Sequence, residues 1–73
     1  MSALEKKIAN ALAASHEAIG LIGLMVDADT AYSSASVTAR ALIRKGLAER
    51  SLGDTGIVYR LTPAGKAAQV ASL

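Results

Sequence analysis

The apolar pattern of this chain changes period at one residue, Gly46. On its N-terminal side Val37, Ala41 and Leu42 recur at helical spacing and face inward, while Ser36, Arg40 and Arg44 fall on a separate polar face. Ser33 or Ser34 is the expected N-cap of this helix. Its end is marked by cations in the last turn and glycine at the C′ position, Arg44-Lys45-Gly46. Beyond Gly46 the chain reads as strand. Leu47, Glu49 and Ser51 lead to the turn-rich tip Gly53-Asp54-Thr55-Gly56, and Ile57-Val58-Tyr59-Arg60-Leu61 follows, rich in strand-forming residues. Two short strands across such a tip predict a β-hairpin. Thr62-Pro63 then opens a last helix, Thr as N-cap and Pro at N1.

Upstream, Ser2-Ala3-Leu4-Glu5 predicts a capping box at the start of a first helix over about residues 2–14, with Leu4, Ile8, Ala11 and Leu12 on one stripe. A second helix is expected from a Ser15 cap, with Glu17 in its first turn. The two helices either break at Ser15-His16 or run on as one. Residues 18–26 are apolar nearly all round, which predicts a helix buried on several sides, with Gly20 and Gly23 permitting close packing. Asp27 to Ala31 reads as a connector.

Composition limits how such elements can pack. Seventy-three residues allow one domain, 1–73. The hydrophobic share is 52%, but aromatics are only 3%, with no Phe and no Trp, so alanine supplies much of it. A chain of this size buries only about 60–65% of its unfolded surface, which leaves a monomer marginal. Cysteine is absent, so no disulfide or thiolate metal site supplements the core. A homodimer is expected, with the alanine-rich first and last helices as its surface. Charge is uneven. Residues 1–39 carry two lysines against four carboxylates, whereas residues 40–73 carry six cations against two carboxylates. A polyanion would bind the second half.

Three helices, a hairpin and a helix is the element order of a winged helix. The segment Leu42-Ile43-Arg44-Lys45-Gly46-Leu47-Ala48-Glu49-Arg50, with Leu61-Thr62-Pro63-Ala64-Gly65 after the hairpin, resembles the L-x-x-K-G-L-x-x-R … L-T-P-x-G pattern of MarR-like winged helix-turn-helix regulators. The resemblance covers roughly residues 18–66 and is strongest over 41–66. The wing tip Gly53-Asp54-Thr55-Gly56 departs from the family's Asp-x-Arg tip, and the connector from Asp27 to Tyr32 is longer than usual and lacks a glycine. The fold class implied is mainly α with a small β-hairpin: a three-helix core, a wing and a C-terminal helix.

The function implied is sequence-specific binding to double-stranded DNA by a small transcriptional regulator. A recognition helix over about 33–45 would lie in the major groove, and a wing over 47–61 on the backbone. The base-reading face would present Tyr32, Ser33, Ser34, Ser36, Val37 and Arg40, with Arg40 placed to contact guanine. Arg44, Lys45, Arg50, Thr55 and Arg60 would meet phosphates. Each has a plainer reading. Arg44-Lys45 complements the helix dipole, the serines cap or solvate, Arg60 pairs with Glu49 across the hairpin, and Tyr59 packs in the core. The alternative function is a winged helix that binds a protein partner and not DNA.

No catalysis, cofactor or metal is expected. His16 is the single histidine, and Asp27-x-Asp29 reads as a helix-ending polar turn with too few ligands for an ion. Gly53-Asp54-Thr55-Gly56 does not lead into a helix as a phosphate loop does. The longest apolar run, Ala18 to Val26, is far short of the about 20 residues that span a bilayer. No signal peptide is read at the N-terminus, and a cytoplasmic location is expected.

Overall fold

A computed structural model describes residues 1–73. The elements are α1 (Ala3–Ala14), α2 (Leu21–Asp27), α3 (Tyr32–Arg44), β1 (Ala48–Gly53), β2 (Gly56–Leu61) and α4 (Pro63–Ala71). This is the expected order.

α1 opens on the capping box. The Ser2 hydroxyl accepts from the Glu5 amide at 3.1 Å, and the Glu5 carboxylate accepts from the Ser2 amide at 2.8 Å. α1 is the hub of the domain and packs against α2, α3, α4 and β2. Ile8, Ala9, Ala11 and Leu12 are buried there. Its alanine stripe is thus used within the domain, contrary to the expectation that it lies open for a second copy. Of its alanines, Ala3 at the start and Ala13 and Ala14 in the last turn are exposed.

Ser15 ends α1 and does not cap α2. Its backbone is extended, its amide donates to the Leu12 carbonyl, and its hydroxyl bonds to Glu17 two residues on. The chain bends at His16 and Glu17 and then reaches Ile19, which pairs with Tyr59: the Ile19 amide donates to the Tyr59 carbonyl at 2.9 Å and the Tyr59 amide to the Ile19 carbonyl at 2.7 Å. An open edge of β2 thereby gains two hydrogen bonds, and β-branched Ile19 suits a pleated setting better than a helix. α2 therefore starts at Leu21 with Gly20 as its N-cap. The expected all-round burial of α2 is not found. Leu24 is fully buried, but Ile22 and Val26, four residues apart, are 68% and 67% exposed. Gly23 does pack closely, since a Cβ there would lie 2.9 Å from the Ile19 side chain.

α2 and α3 end alike. In α2 the Asp29 amide donates to Val26 and the Thr30 amide to Met25; in α3 the Gly46 amide donates to Ile43 and the Leu47 amide to Leu42. Both are Schellman motifs, whose C′ residue is left-handed. Gly46 has φ +74°, and Asp29, at φ +50°, is the one non-glycine residue with positive φ. The Asp27-x-Asp29 segment is thus a helix-ending turn, as read from the sequence. Because this motif runs to Thr30, Ala31 is left as the N-cap of α3, with no side-chain cap. Ser33 and Ser34 sit in the first turn and are not the cap.

The wing is antiparallel, with Leu52 opposite Ile57 and Gly53 opposite Gly56, so Asp54 and Thr55 form the turn. α4 begins as expected: the Thr62 hydroxyl accepts from the Gly65 amide at 3.0 Å, and Pro63 follows. Thr62 also binds back across the chain, its hydroxyl donating to the Gly46 carbonyl at 2.7 Å and its amide to Leu47 at 3.1 Å. α4 lies so close to this strand that a Cβ on Gly65 would sit 1.7 Å from the Leu47 carbonyl oxygen.

Three large side chains, Ile8, Leu24 and Leu42, are fully buried, each contributing about 1.5–3 kcal/mol. Leu12, Tyr59 and Leu61 and the alanines at 9, 11, 28, 35, 39 and 48 fill the rest of the core. Tyr59 is therefore a core residue.

Candidate nucleic-acid interface

α3 sorts its residues into two faces. Ala35, Thr38, Ala39 and Leu42 are buried. Ser33, Val37, Arg40 and Arg44 recur at the i, i+4, i+7, i+11 spacing of one helical stripe, and all four are exposed. Tyr32 is exposed at the start of the helix, and Ser34 and Ser36 are half-buried at the margins of the stripe. The structure thus brings Tyr32, Ser33, Val37 and Arg40 together on an outward surface. Val37, which the sequence assigns both inward and to the reading face, is 57% exposed, so it does not face inward. Arg40 and Arg44 form no ion pair. The first amides of α3 meet no capping side chain, since Ala31 supplies none. These amides carry the positive end of the helix dipole.

The wing cations differ among themselves. Arg50 is exposed and unpaired. The Arg60 Nε donates to Glu49 Oε1 at 2.6 Å between residues directly opposite in the hairpin register. Both partners of that pair are exposed, so water and salt weaken it. Thr55 is exposed in the turn, and no cation stands at the tip. Leu52 and Ile57 are exposed there instead.

Lys45, expected to meet a phosphate, holds an ion pair within the domain. Its ammonium donates to both oxygens of Glu5, at 2.8 and 3.0 Å, across 40 residues of sequence. Glu5 is buried. The Lys45 hydrogen bond, then that from the Ser2 amide, holds the Glu5 carboxyl below its ordinary value of 4.5, against the opposing effect of desolvation. Glu5 is the one residue of this region that sequence reading missed in part. The capping box showed its bond to Ser2, but no local signal points to Lys45.

His16 is exposed, and no three His, Cys, Asp or Glu side chains come together as a metal site would require. No helix is long and apolar enough to cross a membrane.

No family model matches the sequence, and no curated protein matches it. Among solved structures, a transcriptional regulator of the MarR family from Silicibacter pomeroyi superposes with a TM-score of 0.89 at 25% identity, over 97% of this chain and 49% of that one. BpsR of Bordetella bronchiseptica, whose DNA binding is regulated by 6-hydroxynicotinic acid, superposes with a TM-score of 0.88 at 18% identity, over 97% and 55%. Human N-acetylserotonin methyltransferase superposes at 0.77 with 12% identity, over 88% of this chain but 19% of that one. This chain spans about half the length of the regulators it resembles. Four helices and an antiparallel hairpin, which superpose along nearly all of this chain on about half of each regulator, give this chain the winged-helix fold of MarR-type regulators.

Proposed function

We propose that residues 1–73 act as a single winged-helix domain that binds double-stranded DNA in a sequence-specific transcriptional regulator. The outward stripe Ser33, Val37, Arg40, Arg44 carries this reading: it is continuous, exposed and free of internal ion pairs. In the major groove the N-terminal part of α3, with Tyr32, Ser33, Ser34, Ser36 and Val37, faces base edges and phosphates, and Arg40 makes the bidentate contact to guanine. Arg44 and Arg50 meet phosphates, joined by Arg60 when its exposed pair with Glu49 opens, and by Thr55 at the turn.

A homodimer completes the regulator, placed in the cytoplasm and built without cofactor. Its interface lies on α4, where Val70 is 63% exposed beside Ala67 and Ala71, and on the last turn of α1 at Ala13 and Ala14. One observation favours a second reading, a winged helix that docks on a protein. Ile22 and Val26 leave an apolar ridge on α2, and the wing tip is apolar where a cation would suit DNA.

Binding to random duplex DNA across a salt series separates the two. The DNA reading expects log K to fall with log salt by about 0.9 per phosphate neutralised. Binding that is absent at low salt, or indifferent to salt, refutes it. Selection from a random duplex pool then tests the dimer, which is expected to return palindromes with half-sites about one helical turn apart.

A further inference from the structure

We infer that Glu5 is an internal counterion that withholds Lys45 from any bound polyanion, so that only one of the two cations ending α3, Arg44, is available to phosphate. This inference rests on the DNA-binding reading above. The Glu5 side chain is 8% exposed and its carboxylate accepts three hydrogen bonds, two from Lys45 Nζ and one from the Ser2 amide. Were Lys45 to swing toward a phosphate, a buried carboxylate would keep a single donor and no cation, and an unpaired buried charge is far costlier than an exposed contact is favourable. Arg60 and Glu49 make the contrast. Both are exposed, so water can take over for either partner when DNA draws Arg60 away.

Two cations of similar sequence standing therefore differ in function. Lys45 anchors the end of the recognition helix to the first turn of α1, and its charge is already neutralised when DNA arrives. No counterion is released on its account, since release requires a cation that was free to be screened.

The experiment is the salt dependence of binding to one random duplex, by fluorescence anisotropy from 50 to 200 mM salt. The proteins are the wild type, Glu5→Gln, Glu5→Gln/Lys45→Met, Arg50→Ala and Glu17→Gln, each checked for native helical circular dichroism. The double variant removes both charges together, so no buried carboxylate is stranded and folding is preserved. Glu17 is exposed and unpaired, and its variant controls for net charge alone. Glu5→Gln frees Lys45 and is expected to steepen the slope by about 0.9, an extra loss of about 3.5-fold over this salt range. The double variant is expected to keep the wild-type slope, while Arg50→Ala lowers it by about 0.9. A double variant as shallow as Arg50→Ala means that Lys45 reaches phosphate, and overturns the inference. So does a Glu5→Gln slope no steeper than that of Glu17→Gln. Absence of salt-dependent binding in every protein refutes the DNA-binding reading itself, and the inference falls with it.

Discussion

Replacing Gly65 by alanine sets two physical effects against each other with opposite signs. Gly65 lies in the first turn of α4 and has no positive φ. On helix propensity alone, alanine would stabilise this position by about 1 kcal/mol. The structure predicts the reverse. The new methyl would fall 1.7 Å from the Leu47 carbonyl oxygen and 2.7 Å from its carbon, and this neighbour is backbone held by bonds to Leu42 and Thr62. α4 must therefore retreat. The retreat opens the bonds that Thr62 makes to Gly46 and Leu47, each worth about 1 kcal/mol. Overpacking strain adds about 1–3 kcal/mol. Net of the propensity gain, the variant is expected to lose about 2–4 kcal/mol, and each kcal/mol corresponds to about 4–8 °C in a domain of this size. Urea and thermal unfolding followed by circular dichroism measure this. A Gly65→Ala protein within 0.5 kcal/mol of wild type, or one more stable, would refute the reasoning, because the close approach would then be soft. Gly46→Ala is the companion: no atom lies within 4 Å of its added methyl, so its cost of about 1–2 kcal/mol comes from the left-handed backbone alone.

Glu5 has a folded pKa below its unfolded value of 4.5, so its stabilising contribution is full above 4.5 and is lost as pH falls toward the lowered value. The urea midpoint of the wild type is expected to drop more between pH 6 and pH 3 than that of Glu5→Gln, and equal drops would contradict the pairing. At the proposed DNA face, Arg40→Ala is expected to reduce discrimination at one base position by about 1–3 kcal/mol, whereas Arg50→Ala weakens all sequences alike. Competition binding with single-base variants of a selected site distinguishes these, and a uniform effect of Arg40→Ala would remove it from the reading face. At the end of α2, Asp29→Gly is expected to be tolerated, while Asp29→Val loses about 1–2 kcal/mol from its left-handed backbone. Thermal unfolding tests this pair, and a Val variant as stable as Gly would contradict the φ assigned to Asp29.

Features that depend on a few neighbouring residues were legible before any coordinates. The Ser2–Glu5 box, the Gly46 stop, the Thr62-Pro63 start and the outward position of Arg40 and Arg44 are set by local geometry, whereas Val37, read as inward, faces out. The failures share a cause in distance along the chain. Residues 18–20 belong to an apolar run that suits helix or strand equally, and their extended state is decided by Tyr59, some forty residues later. Lys45 looks like half of a basic pair until Glu5, equally remote, is placed against it. Ala9 and Ala11, read as part of a partner surface, are covered within the domain, because composition shows small side chains and not which neighbours cover them. Ser33 and Ser34 read as caps in the sequence because a left-handed aspartate, unlike glycine, leaves little trace there.

The bridge between Ile19 and Tyr59 has a consequence for how this protein behaves in crowded solution. A two-stranded ribbon has two open edges, and each is a template on which another extended chain can polymerise. Ile19 occupies one of them at Tyr59, leaving β1 as the longer free edge. That edge carries Glu49 and Arg50, whose charges must be stripped of water before a second β1 could align there. Loss of the bridge would free the Tyr59 amide and carbonyl on the edge that also carries the uncharged, β-prone Ile57 and Val58. One residue outside the hairpin thus shortens the edge that β2 leaves open to another strand.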